Sequence, residues 1–396
     1  MNPLLDLLQP YPFQKLAELF KGVHANQAYT PVSMHIGEPK HATPKFICEA
    51  LSSNLNGLAN YPTTLGSDAL RESIASWVQR RYKIPALNAK TQVVPVNGSR
   101  EALFSFAQAV IDRTREQPVV VCPNPFYQIY EGAAYLGGAT PHFLNTLPHN
   151  NFALDFAQLS EDTWKRTQLI YVCSPGNPNG HVMPLSEWKT LFEMSDRYGF
   201  VIAADECYSE IYFDTPPLGA LEAAHQLGRS DYRNLVIFSS LSKRSNVPGL
   251  RSGFVAGDAS VLEKFTLYRT YHGCAMNPSV QAASIAAWND EAHVADNRRL
   301  YKEKFSKVMD ILKPVLPVVM PDASFYLWLK VPIADTAFAQ GLHRDYNVTV
   351  LPGSFLAREV RGINPGENYV RLALVATVDE TVDAARRIAE FTLKLN

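Results

Sequence analysis

Between about Gln92 and Gly257, short apolar runs alternate with stretches of helical periodicity. The runs Val119 to Cys122, Leu169 to Cys173, Phe200 to Ala204, Leu235 to Ser239 and Phe254 to Ala256 lack polar alternation. That pattern predicts parallel strands joined by crossover helices and covered on both faces. A further strand near Gln92 to Pro95 leads into a helix at about Glu101. The result is an α/β core whose ligand sites lie outside the carboxyl ends of the strands. The Pro-rich stretch Pro3 to Pro44 reads as an arm that packs on something else. After about Arg298 a long amphipathic helix leads to a strand at Phe325 to Val331. Short strands follow near Val348 to Leu351 and Tyr369 to Leu374, and a last helix starts at about Asp379. The expected organisation is an arm with a small-domain segment (1–45), a large α/β domain (46–297) and a smaller α+β domain (298–396). No period of 20 to 50 residues recurs.

Composition narrows the classes. The 396 residues are 46% apolar and 19% charged, as in ordinary globular proteins. With 37 basic against 38 acidic residues and no basic tail, the chain lacks the footprint of a nucleic-acid binder. No run of about 18 apolar residues occurs, and Met1 to Pro12 has neither a basic n-region nor a continuous apolar stretch. The expectation is a soluble, cytoplasmic protein that contacts no membrane. Five widely spaced cysteines, Cys48, Cys122, Cys173, Cys207 and Cys274, read as reduced core residues, and the ten histidines show no metal-ligand spacing. No metal is expected.

Polar residues gather just after the core strands. Asn177 lies in Ser174-Pro-Gly-Asn-Pro-Asn-Gly180, Asp205 ends an apolar run with Tyr208 three positions on, and Lys243 follows the strand ending near Ser239. Gly98-Ser-Arg100 joins a strand to a helix. Taken singly, each is ordinary turn or capping chemistry. Their joint placement at one crevice points to an aldehyde cofactor that carries a pyridine ring and a phosphate. Lys243 can form a Schiff base with the aldehyde, and Asp205 can hold the ring nitrogen protonated. Tyr208 and Asn177 can favour the ionised ring hydroxyl. The phosphate finds the backbone N–H groups of Ser99 and Arg100 at a helix start, with Arg251 and Ser240 adding donors.

These residues stand in an ordered set that resembles the fold-type I pyridoxal-phosphate aminotransferases of the aspartate aminotransferase superfamily. The set runs through Gly37-Glu-Pro39, Tyr61, Gly66, Leu70-Arg-Glu72, Asn97-Gly-Ser-Arg100 and Pro125-Phe-Tyr127. It continues with Asn177-Pro-Asn-Gly180, Asp205-Glu-Cys-Tyr208, Ser240-Leu-Ser-Lys243, Pro248-Gly-Leu-Arg-Ser-Gly253 and Tyr369-Val-Arg371. Asp205 and Lys243 are 38 positions apart, and Lys243 and Arg251 are 8 apart. The resemblance implies a large domain with a mostly parallel, seven-stranded-type sheet, and a smaller α+β domain built from the C-terminal part and the arm. It implies pyridoxal 5'-phosphate on Lys243, which also shuttles the proton at the substrate Cα. Tyr127 would stack on the ring, and Arg371 would bind the substrate α-carboxylate with Asn177 and the Gly37 N–H. It further implies a homodimer in which Tyr61 reaches the neighbour's phosphate. Tyr127 stands where relatives often carry Trp, and Arg100 where others have Lys, Gln or Thr.

The implied reaction is transfer of an amino group between glutamate/2-oxoglutarate and a second amino/oxo acid pair. Within the superfamily the sequence is most similar to succinyldiaminopimelate aminotransferases of bacterial lysine biosynthesis. The strings Tyr11-Pro-Phe-Gln-Lys-Leu, Ser242 to Phe254 and Tyr268 to Pro278 carry that likeness. Arg269 or His272 is expected near the site mouth, receiving the distal carboxylate or succinyl group. The competing readings are an aminotransferase for aspartate, alanine or aromatic substrates, a pyridoxal-phosphate C–S lyase on the same scaffold, a ligand-sensing regulator, and a scaffold with a dead site. The chain shows no helix-turn-helix extension for the regulator, and retention of Lys243, Asp205, Arg251 and Arg371 together argues against the scaffold.

Overall fold

A computed structural model describes residues 1–395. Among the described residues, twelve strands form three sheets. In chain order they are β1 (Val32–Ser33), β2 (Val93–Val96), β3 (Val119–Asn124), β4 (Thr140–Asn145), β5 (Thr167–Cys173) and β6 (Val201–Asp205). The others are β7 (Leu235–Ser240), β8 (Gly253–Gly257), β9 (Tyr326–Lys330), β10 (Val348–Thr349), β11 (Leu351–Pro352) and β12 (Tyr369–Ala373).

The large sheet has the order β2-β8-β7-β6-β5-β3-β4. Pairing is parallel from β7 to β4, as the apolar runs predict, but β8 runs antiparallel to both β7 and β2. The parallel strand expected at Phe254 to Ala256 therefore has the opposite direction. The connection from β7 to β8 holds only short turns, Leu241–Arg244 and Pro248–Leu250, too little to cross the sheet face as a parallel return requires. At the other edge β4 is a strand that the sequence pattern hid, because Thr140, His142 and Asn145 interrupt its apolar positions. On β3, Val119 and Val121 enter one cluster with Trp77, Trp188 and Leu221, while Val120 and Cys122 enter another with Phe106, Tyr130 and Phe238. Two covered faces explain the missing alternation, and each such side chain contributes about 1.5–3 kcal/mol on burial.

The smaller sheet, β11-β12-β9, is antiparallel. The arm joins this part of the molecule, with β1 pairing β10 in parallel and Val32 and Met34 entering a core with Phe305, Leu327, Val370 and Ile388. The long helix is Ala292–Leu312, so the boundary expected after 297 falls inside it and the chain passes between the two cores along one continuous helix. The last helix, Val378–Leu393, starts on a capping box in which Thr377 and Glu380 satisfy each other's backbone N–H groups. Among the described residues no helix is long and apolar enough to cross a membrane.

Candidate active site

Register places the chemistry. Cys173 at the end of β5 pairs with Asp205 at the end of β6, and Asp205 with Phe238 of β7, so the segments leaving these strands start level with one another. Ser240 ends β7 and caps the turn Leu241–Arg244, its hydroxyl accepting from the Ser242 N–H at 3.1 Å. Lys243 lies on that turn. From β2 the chain enters the helix Ser99–Val110 through Gly98, whose φ of 85° suits glycine. A Cβ there would collide with the Arg251 guanidinium, which therefore lies against the helix start only because the residue is glycine.

These ends open into a cavity of about 490 Å³. Of the residues singled out in the sequence, it is lined by Gly37, Ser99, Arg100, Tyr127, Asn177, Asp205, Tyr208, Ser240, Lys243, Arg251 and Arg371. Gly98 lies directly behind the lining, at the start of the same helix. Four basic side chains, Arg100, Lys243, Arg251 and Arg371, face two acidic ones, Glu38 and Asp205, a balance that favours an anionic ligand. Tyr61 is fully exposed and lies outside the lining. Arg269 and His272 are not at the mouth of this chain's cavity. Arg269 is fully buried, paired to Glu101 at 2.9 Å and donating to the Cys274 carbonyl. His272 stacks on Tyr268 with Nδ1 3.1 Å from the Cys274 thiol.

Lys243 Nζ donates to the Gly37 carbonyl. Burial pulls its amine down to about 8, and the nearby Arg371 charge pushes the same way. Asp205 is buried, which pushes its carboxyl up. The Cys207 N–H at 3.2 Å and the Tyr130 hydroxyl at 2.7 Å donate to it and oppose that rise, as does the Lys243 charge. Tyr208 is held well above the ordinary phenol value by burial, and its hydroxyl lies 3.2 Å from that of Tyr326. Arg371 donates from Nη1 to Asn177 Oδ1 at 3.0 Å and from Nη2 to the His35 carbonyl at 2.8 Å, and stacks over the Tyr326 ring. Arg100 donates from Nε to the Tyr127 hydroxyl at 2.7 Å and from Nη2 to that of Tyr11 at 3.2 Å.

Four residues that hold this arrangement carry no site role in the sequence reading: Tyr130, Tyr326, Tyr11 and Cys207. Tyr130 lies in the first turn of the helix Ile129–Gly137 and Tyr326 opens β9, where the period alone reads as core. Cys207, whose thiol donates to Ser99 Oγ at 3.0 Å, stands between two residues that were singled out, and that position was the one available signal.

The profile of the aminotransferase class I and II family matches residues 30–388. The chain belongs to that family. An LL-diaminopimelate aminotransferase of Nitratidesulfovibrio vulgaris is 30% identical to this aminotransferase over 98% of the chain and 97% of its own length. Among solved structures, an aminotransferase from Neisseria meningitidis superposes with a TM-score of 0.96 at 56% identity, covering 98% of this chain and 99% of its own. The aminotransferase AspB from Helicobacter pylori gives 0.91 at 34% identity, with 98% and 99% covered. The cofactor of the family is pyridoxal phosphate, and its substrates are amino and oxo acids. The aminotransferase has the donor set for that cofactor. A helix start with free N–H groups and the Arg251 guanidinium suits a phosphate, a buried carboxylate suits a pyridinium, and an amine near 8 suits an aldehyde. The buried Nε of Arg371 has no partner, so the guanidinium retains a free donor in a cavity wall, as a carboxylate ligand requires.

Proposed function

We propose that the aminotransferase moves an amino group between glutamate and an oxo acid of the diaminopimelate class. The convergence of Lys243, Asp205 and Arg371 on one cavity carries the assignment of roles. Pyridoxal phosphate supplies an electron-accepting ring conjugated to the substrate α-carbon. In this reading Asp205 holds a proton at the ring nitrogen, kept oriented by Tyr130 and the Cys207 N–H, and Tyr208 and Asn177 serve the ring oxygen. Gly98, Ser99, Arg100, Ser240 and Arg251 hold the phosphate, and Tyr127 covers the ring face. Arg371 and Asn177 hold the α-carboxylate beside Gly37. Lys243 would hold the aldehyde, and its amine, when free, would carry the proton taken from the substrate Cα.

For the second substrate, the strings noted in the sequence support N-succinyl-LL-2,6-diaminopimelate. The name of the relative at 30% identity supports the free LL-diaminopimelate family of substrates. Both are long amino acids that carry a second α-carboxylate at the far end of the diaminopimelate skeleton. A homodimer completes the reading, supported by the exposed apolar side chains Leu55, Leu58, Tyr61, Leu267 and Tyr271. The five free thiols fit a cytosolic setting.

A panel of half-reactions followed at the cofactor chromophore tests the reading. Glutamate and a diaminopimelate-class amine should each convert the cofactor to its amine form, with kcat/KM for the succinylated or free diaminopimelate at least about tenfold above aspartate, alanine or an aromatic amino acid. A higher value for one of those three would replace the substrate assignment. Release of pyruvate and ammonia from a thioether, without conversion by glutamate, would replace transfer by lysis.

A further inference from the structure

A polar chain runs from the core of the smaller sheet to the backbone of Lys243, and the roles assigned above make no use of it. Lys304, on the helix Ala292–Leu312, is fully buried. Its Nζ donates to the Leu374 carbonyl at 3.1 Å and lies 2.7 Å from His41 Nε2. The groups facing it are His41, the Tyr301 ring at 4.9 Å and, at longer range, Glu380. His41 Nδ1 in turn lies 2.6 Å from Asn297 Oδ1. Asn297, itself buried, donates from Nδ2 to the Lys243 carbonyl at 3.2 Å and the Arg244 carbonyl at 3.5 Å, while Asn246 Nδ2 donates to its oxygen at 3.1 Å.

Chemistry fixes the direction of every link. Two backbone carbonyls only accept, so Asn297 presents its NH₂ to them and its oxygen to His41 and Asn246. His41 then carries its hydrogen on Nδ1, and the bare Nε2 is the acceptor for an N–H of the Lys304 amine. The carbonyls that end the four-residue turn Leu241–Arg244 cannot all bond within it, and Asn297 satisfies them. The chain also ties together three segments of the site. His41 follows Gly37, whose carbonyl accepts from Lys243. Asn297 holds the Lys243 turn, and Lys304 holds Leu374, just beyond Arg371.

We propose that Lys304 and His41 are positioning residues for transamination: acting through Asn297, they fix the Lys243 turn and hence the angle at which its amine meets cofactor and substrate. Neither touches a reacting atom. The proposal rests on Lys243 being the cofactor-binding amine, and the two can fail separately.

His41→Gln and His41→Leu, compared as holoenzymes, test it. Glutamine offers an oxygen to Lys304 and an NH₂ to Asn297, so it rebuilds both links, whereas leucine fills similar space and rebuilds neither. His41→Leu should lower kcat about tenfold, with KM for glutamate within about twofold, because a small misplacement of a reacting group costs rate. It should also move the pH midpoint of the cofactor absorbance, read without substrate, by about half a unit or more. His41→Gln should recover most of both. Lys304→Met should match His41→Leu, and the double variant should lose no more than either single one, since both cut the same chain. If His41→Leu does not fold, Lys304→Met carries the comparison. An unmoved midpoint with wild-type kcat, equal losses in His41→Gln and His41→Leu, or a lowered Tm with neither kcat nor midpoint changed would each overturn the proposal. Failure of borohydride to label Lys243 in the wild-type enzyme would strike the Lys243 assignment instead.

Discussion

Burial takes the Lys243 amine to about 8, so the neutral form that attacks an aldehyde is present near neutral pH rather than only above 10. Apoenzyme mixed with pyridoxal phosphate should therefore form the chromophore at a rate that rises with pH and reaches half its plateau near 8. The sign follows from the protonated amine being unreactive, and a midpoint near that of free lysine would contradict the burial of this group. Asp205 depends on its neighbours in the opposite sense. Its carboxylate is destabilised by burial and stabilised by the Tyr130 hydroxyl. Tyr130→Phe removes one hydrogen bond to a charged group, worth about 1.5–3 kcal/mol. It should lower kcat about tenfold or more while leaving KM for glutamate nearly unchanged, as steady-state kinetics would show. Asp205 and Lys243 were legible as cavity residues because they stand at or just past the carboxyl ends of core strands, and Arg251 because it stands eight positions after Lys243. Tyr130 was not, because a phenol on a helix face is indistinguishable from a core aromatic until its partner is known.

At the scale of elements, the apolar runs gave away the parallel strands because two covered faces erase alternation, whereas β4 stayed hidden at an edge with polar positions. The direction of β8 was lost for a different reason, since a short apolar run is the same read either way and only the brevity of the preceding connection constrains it. Helix ends carry their own information: Asp258 caps the start of Ala259–His272, and Gly273, at a φ of 81°, ends it. That helix delivers Arg269 to Glu101 in the first turn of Ser99–Val110, where Glu101 also accepts from the Asn97 N–H at 2.8 Å. Arg269 thus neutralises a carboxylate beside the turn proposed to hold the phosphate. Arg269→Ala should weaken cofactor binding about tenfold or more, by leaving that charge unpaired near a phosphate and loosening the turn. Fluorescence titration of the apoenzyme measures the loss, and kcat/KM should fall by the same factor for short and long substrates. A loss confined to the long substrate would return Arg269 to substrate recognition.

The whole molecule sets a problem that one chain does not solve. The family resemblance would have Tyr61 reach a phosphate, yet its side chain is fully exposed and lines no part of this chain's cavity. Leu55 and Leu58, just before it in the chain, are exposed as well, as are Leu267 and Tyr271 on Ala259–His272. In the proposed homodimer the partner would cover these side chains, and a two-fold pairing would carry Tyr61 to the site of the other subunit. Complementation decides it. Lys243→Ala subunits lack the amine but retain Tyr61, and Tyr61→Ala subunits retain the amine but lack the phenol. If each site draws Lys243 from one chain and Tyr61 from the other, a mixed dimer holds one intact site and one doubly defective site. Random reassembly makes half of the dimers mixed, so two nearly inactive pools should regain about a quarter of wild-type activity after unfolding and refolding together. Were both residues drawn from the same chain, every site in the mixture would carry one defect, and refolding the two pools together would restore nothing.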